Sequence, residues 1–261
     1  MTGSVVSSIT RMGKLEPFEL QVARGQITMH ETVNVFGYST VIGATVYPVW
    51  NVAAARVYLT TAAVMKISSS SADDASSGTG ARTVLVSGLD QDYNRISETV
   101  TLTGQTAVNT TNSFLRISGI RTLTVGSGGT NAGVIYAGTG TITTGVPAVI
   151  HEVVPIGFNA SMSGVYTVPA GYTAYLYQGG LTSQSNGNNY ITGRLKTSNQ
   201  GSPKVTNAVT IFTEGMVDYN FTYPLALPEK TDLEACAIVS ANTSTATSFF
   251  FIVLIKNDGQ A

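Results

Sequence analysis

Apolar residues in this chain recur in short runs that alternate with polar ones, and clusters of Gly, Asn, Asp and Ser separate the runs. A period of two puts successive side chains on opposite faces of a strand, whereas a helix repeats every three to four residues. Helical periodicity is nearly absent. The Ala-rich stretch 52–65 comes nearest, but Thr60, Thr61 and Val64 interrupt it, and it reads as extended or irregular. Residues 18–27 and 33–38 read as two alternating strands, too few to bury a core alone. Strands follow at 82–87, 96–102, 114–120, 122–125, 134–138 and 141–144, with Gly126-Ser127-Gly128-Gly129 and Gly138-Thr139-Gly140 between them as turns. Strands at this spacing predict a sandwich, in which two sheets bury their inner faces. A third group lies at 165–168, 172–177, 190–196, 209–212, 219–223, 233–240 and 248–255. Within it, Pro169-Ala170-Gly171 is a tight turn: Pro presets its own φ and Gly tolerates a positive one. About eight strands is the count of a jelly roll. The expected fold is therefore all-β: an extended N-terminal arm (1–48), an Ig-like β-sandwich (49–150) and a jelly-roll-like β-sandwich (151–261).

Composition narrows the functional classes. Charged residues make up 11% of the 261 positions, against an average near ~25%, so Ser, Thr, Asn and Gly carry the solubility. The net charge is −1. Arg11, Lys14, Arg24, Arg82, Arg121, Lys196 and Lys204 are scattered, which gives no footprint for nucleic acid, since phosphate neutralisation needs clustered cations. The longest apolar run, 249–255, is far short of the ~20 residues that span a bilayer, so no membrane insertion is expected. Residues 1–9 lack the charged start and apolar core of a signal peptide, and the chain is expected to fold in a bacterial cytoplasm. The N-x-S/T matches at Asn109, Asn159, Asn220 and Asn242 then carry no weight.

The single cysteine, Cys236, lies in an apolar strand-like run and reads as a small buried hydrophobe. Only His30 and His151 could act as imidazole bases, and neither neighbours a nucleophile-elbow pattern. Asp90-x-Asp92-x-Asn94 begins like a calcium loop but continues with Arg95 where that loop needs Gly and Thr101 where it needs Glu; it reads as an acidic hairpin turn, with cation binding left open. Asp73 and Asp74 read as part of a solvated loop. The glycine clusters match no phosphate-cradling motif. No residue is assigned a catalytic, cofactor-binding or metal-binding role, no cofactor is implied, and the chain reads as a non-enzyme. The 15 acidic residues always offer some carboxylate pair, so a polysaccharide-degrading enzyme stays as a remote alternative. Exposed Tyr172, Tyr175 or Tyr190 could bind a surface glycan.

Several stretches together resemble structural proteins of marine tailed bacteriophages. The run Met12-Gly13-Lys14-Leu15-Glu16-Pro17-Phe18-Glu19-Leu20-Gln21-Val22-Ala23-Arg24-Gly25-Gln26-Ile27, continuing to Val33-Asn34-Val35-Phe36-Gly37-Tyr38, is similar to their N-terminal module. Gly80-Ala81-Arg82-Thr83-Val84, Gly88-Leu89-Asp90, Ser97-Glu98-Thr99-Val100-Thr101-Leu102 and residues 124–144 are similar too, and 166–175 with 227–233 resemble phage jelly-roll modules. The resemblance spans nearly the whole chain and implies a virion protein whose arm anchors to the particle, whose sandwich spaces and whose jelly roll mediates homotrimer contacts. It implies a capsid decoration or head-fibre protein first, and a tail, neck or fibre component contacting the host second. The partners implied are sister copies, the major capsid protein or tail proteins of the particle, and a host surface glycan.

Overall fold

The computed structural model describes residues 10–11, 14–184, 190–200, 202–213, 215–240 and 244–257. Residues 1–9, Met12, Gly13 and Asn242 of the sequence readings lie outside them. The chain is all-β, with 62% strand and 3% helix. It opens with β1 (Thr10–Arg11), β2 (Lys14–Leu15) and α1 (Phe18–Ala23), then β3 (His30–Ile42) and β4 (Tyr47–Pro48). A middle group holds β5 (Ala63–Ser69), β6 (Ala81–Leu89), β7 (Arg95–Thr101), β8 (Val108–Phe114), β9 (Arg116–Val125), β10 (Ile135–Thr143) and β11 (Val146–Val154). The last group is β12 (Val165–Thr167), β13 (Tyr172–Gln184), β14 (Ile191–Asn199), β15 (Val205–Phe212), β16 (Gly215–Leu227), β17 (Thr231–Val239) and β18 (Ser244–Lys256).

Besides the β1–β2 pair, four sheets carry the chain, in the orders β11-β10-β5-β8, β7-β6-β9, β12-β17-β14-β15 and β16-β13-β18-β3, with β4 also pairing β17. Four sheets give a propeller-like count, but none is a meander of four consecutive strands. Hydrophobic cores join them in pairs. Met65, Ile67, Phe114, Ile135 and Val154 from the first sheet meet Val84, Val86, Val100 and Ile120 from the second. Val35, Leu176, Phe250 and Ile252 from the fourth sheet meet Leu233 from the third. A fully buried Leu, Ile or Phe contributes ~1.5–3 kcal/mol, so these two clusters hold most of the fold.

The expected N-terminal arm is corrected. β3 pairs with β18 along 11 register positions, from His30↔Ile255 to Ser244↔Ile42, because its alternating apolar side chains complete the core of the last strand group. Residues 18–27 are corrected as well: Phe18–Ala23 is a helix, entered at Pro17 and ended before Gly25 at φ 67°, a conformation glycine adopts without a Cβ penalty. The expected boundary at 150 falls inside β11. Gly138-Thr139-Gly140 is no turn; it lies inside β10, where the register against β11 shifts.

One lane of the third sheet is built from two distant pieces. β4 pairs with Cys236 and Ala237, and β12 pairs with residues 232–234 of the same strand. Between them, Val49 N–H donates to the Ala235 carbonyl (2.8 Å), Ala235 N–H to the Gly164 carbonyl (2.8 Å) and Gly164 N–H to the Val49 carbonyl (2.9 Å). The chain thus leaves this lane at Val49, builds the entire middle group, and returns to the same lane at Gly164. Gly37 of β3 crosses the junction so closely that a Cβ there would lie 2.5 Å from the Val49 carbonyl oxygen and 2.7 Å from the Gly164 nitrogen.

Candidate functional site

The middle and last strand groups are joined by buried charge. Arg116, at the start of β9, forms a bidentate pair with Asp232 of β17: Nε–Oδ1 2.9 Å and Nη2–Oδ2 3.0 Å. Its remaining donors reach the Leu59 and Leu115 carbonyls, and its guanidinium lies 4.7 Å from the Tyr58 ring and 5.7 Å from the Tyr93 ring. Thr167 donates to Asp232 at 2.6 Å. Two residues along β17, on the same face, Glu234 accepts from Lys204 at 2.6 Å, and Lys204 also lies over Tyr58. Nearby, Arg56 pairs with the fully buried Glu152 at 3.0 Å, and Ser163 donates to the same carboxylate. Burial opposes the charge on Arg56, yet Glu152 raises its pKa overall. Burial pushes the Tyr58 hydroxyl well above its ordinary range, and the adjacent Glu234 adds to that. Asp232 and Glu152 are each held by an arginine and a hydroxyl donor, and Glu234 by Lys204 and the Cys236 thiol, an arrangement suited to fixing packed strands rather than to moving protons.

The residues singled out from sequence fall in separate places. His30 is half-buried; its Nδ1 is 2.8 Å from the Thr28 carbonyl and its ring meets Phe18 edge-on. His151 is buried on β11, 3.1 Å from the Thr139 hydroxyl. Burial lowers its pKa, a backbone hydrogen bond to Val57 opposes that, and the cations Arg56 and Arg116 add to the lowering. Cys236 is buried, and burial with the neighbouring Glu234 pushes its thiol up to about 12. Asp90 forms the β6–β7 turn: its Oδ1 accepts from the Asp92 and Asn94 amides at 2.9 and 2.8 Å, and its own N–H donates to the Asn94 carbonyl. Asp74, expected in a solvated loop, is fully buried. It accepts from the Ser69 hydroxyl and the Ala81, Ala132 and Gly133 amides at 2.6–2.8 Å. Among the described residues, no group of three His, Cys, Asp or Glu side chains could hold a metal ion, and no helix is long and apolar enough to cross a membrane.

The tyrosines considered for glycan binding do not converge. Tyr172 pairs with Lys256 at one end of β18, beneath the Arg95 guanidinium at 4.6 Å. Tyr190 donates its amide to the Ser240 hydroxyl at the other end, where the Val239 amide meets the Gly43 carbonyl. Those ends are separated by most of a 13-residue strand, ~40 Å at ~3.3 Å per residue.

The surface with the most distinctive chemistry is where β15 and β16 end their two sheets. There the sandwich stays open over an apolar cavity of about 100 Å³. Leu181, Leu195, Ala208, Val217, Phe221 and Phe250 line it. Val209 and Tyr219 at its rim, and Val205, Ile211, Met216 and Tyr223 beyond it, are exposed. In the sequence this edge shows as apolar residues at 205, 209 and 211 with few charges around them. The signal for the buried pairs was also present, in Asp232 and Glu234 interrupting an otherwise apolar strand.

No family model matches the chain, and no curated protein matches it. Among solved structures, the infectious bursal disease virus VP2 subviral particle is similar at 10% identity, covering 89% of this chain and 73% of that one, with a TM-score of 0.23. The structure of the Gt strain of that virus is similar at 9% identity with the same coverage and a TM-score of 0.21. T=1 particles derived from it give 10% identity, coverage of 87% and 73%, and a TM-score of 0.19. These are weak likenesses to viral capsid structures, and at such TM-scores they carry no argument.

Proposed function

We propose that this chain is a structural protein of a virus particle that works by assembly and not by catalysis, most specifically a capsid decoration or head-fibre protein of a tailed bacteriophage, present as a homotrimer. The observation that carries the reading is the nesting of strand pairs. β3 pairs β18, β12 pairs β17, β13 pairs β16 and β14 pairs β15, all antiparallel. Folding such a nested hairpin over itself brings β18 beside β13 and β17 beside β14, which yields the two four-stranded faces of a jelly roll, a fold of viral capsid and lectin domains. In this reading β3 and the split β4–β12 lane are the first two strands of the roll, and residues 50–163 are a β-sandwich inserted into the second.

Three further features support it. Solubility rests on neutral polar residues, cohesion between the sandwich and the roll includes the buried bidentate Arg116–Asp232 pair, and the open sheet edges present apolar surface. The roll would contact the major capsid protein or tail proteins, and exposed tyrosines could add host-glycan contacts. The test is to separate particles carrying this gene into heads and tails and quantify the chain in each by mass spectrometry. A fixed copy number in the heads is expected. Recovery only with tails would select the tail or fibre reading, and absence from both would overturn the virion assignment.

A further inference from the structure

Resting on that assembly reading, we infer that the β15–β16 edge is the contact between copies of this chain. β15 and β16 are the terminal strands of their sheets, so among the described residues each has one row of backbone N–H and C=O groups with no strand beside it. Such a row is a template for pairing with another chain, and soluble proteins blunt it with lysine, proline or inward charge. Residues 205–227 contain no lysine or arginine, and Glu214 and Asp218 are their two charged residues. Their one proline, Pro224, falls where β16 bulges away from β13, outside the paired positions.

The side chains argue for the same occupant. Val205, Val209, Ile211, Met216, Tyr219 and Tyr223 are 53–86% exposed. With ~150–250 Å² on each of the two tyrosines and less on the four aliphatic side chains, the six together expose on the order of 600 Å², approaching the ~800 Å² each partner contributes to a stable interface. The patch is rich in Tyr and Met and poor in charge, as the buried centre of an interface is. A glycan or a charged partner would need converging polar or ionic groups, which the patch lacks; an equally apolar, equally uncharged surface suits it, and a second copy supplies one. Contact of β15 on one copy with β16 on the next is head to tail, and it closes into a trimeric ring when successive copies are rotated by one third of a turn.

Light scattering on the full chain, alongside Val209→Lys and Ile211→Lys, tests this. Val209, at the cavity rim, and Ile211 are 58% and 65% exposed and belong to no core cluster, so both variants are expected to fold. The wild type is expected at a multiple of the single-chain mass, and each variant at the single-chain mass with an unchanged melting temperature. Should a variant fail to fold, hydrogen exchange of the wild type serves instead: amides of β15 and β16 should gain protection as concentration rises. Variants that keep the wild-type mass, or edge amides whose exchange ignores concentration while the chain is multimeric, would overturn this surface and leave the assembly reading standing. A wild type that is monomeric at every concentration would overturn both.

Discussion

Arg116 stands where four parts of the chain converge: Asp232 of β17, the carbonyls of Leu59 and Leu115, and the rings of Tyr58 and Tyr93. Removing one partner of a buried pair leaves the other charge uncompensated, at a cost of ~3–5 kcal/mol. Arg116→Ala should lose about that much in denaturant unfolding, and Arg116→Lys should recover little of it, since an ammonium cannot make the bidentate contact or stack between two rings. His151 gives a pH dependence of defined sign. Its folded pKa lies below the unfolded value of ~6.5. Above that value both states are neutral and the residue does not influence stability. As pH falls below it, the unfolded chain binds a proton that the native site refuses, so stability drops. Between about pH 8 and about pH 5 the wild type should therefore lose more melting temperature than His151→Gln, with equal losses contradicting the neutral buried site. The Cys236 thiol, pushed up to about 12, should resist maleimide in the native protein and react once the chain is unfolded; rapid native labelling would show the β17 core to be open.

At the scale of elements, the strand that matters most for the architecture is the split one. Because the Val49 and Gly164 main chains are hydrogen-bonded to each other, replacing residues 50–163 by a short Gly-Ser linker should leave a β protein with a single cooperative melt. A product without one would mean that the two strand groups fold only together. Gly37→Ala, which puts a Cβ against that junction, should destabilise the full chain. Much of this layer was legible in sequence. The alternating runs around 82–87, 96–102, 172–177 and 248–255 became strands, and the Pro169-Ala170-Gly171 turn formed, with Gly171 at φ 75°. What sequence reading missed has physical causes. β8, Val-Asn-Thr-Thr-Asn-Ser-Phe, buries little beyond Thr110 and Phe114 and so shows no apolar alternation. Phe18–Ala23 alternates like a strand, and only Pro17 and Gly25 mark it as a capped helix. The closure of β3 onto β18 joins residues more than two hundred positions apart, which local periodicity cannot encode. The buried Asp232 and Glu234 were visible only as charges inside an apolar run.

For the whole molecule, the account is that strand packing is the function: nested pairs roll into one unit, the buried Arg116–Asp232 pair helps fix a second unit to it, and bare sheet edges join copies. Its pieces are separable, because loss of the Arg116–Asp232 pair should loosen one copy internally, whereas a lysine at position 209 or 211 should leave each copy intact and unmake the assembly. The most direct test is a cryo-electron microscopy map of the intact particle. The account predicts this chain at repeated, symmetry-related positions on the surface, with neighbouring copies meeting through residues 205–227. A particle without the chain, or a chain isolated from infected cells as a free monomer, would contradict it.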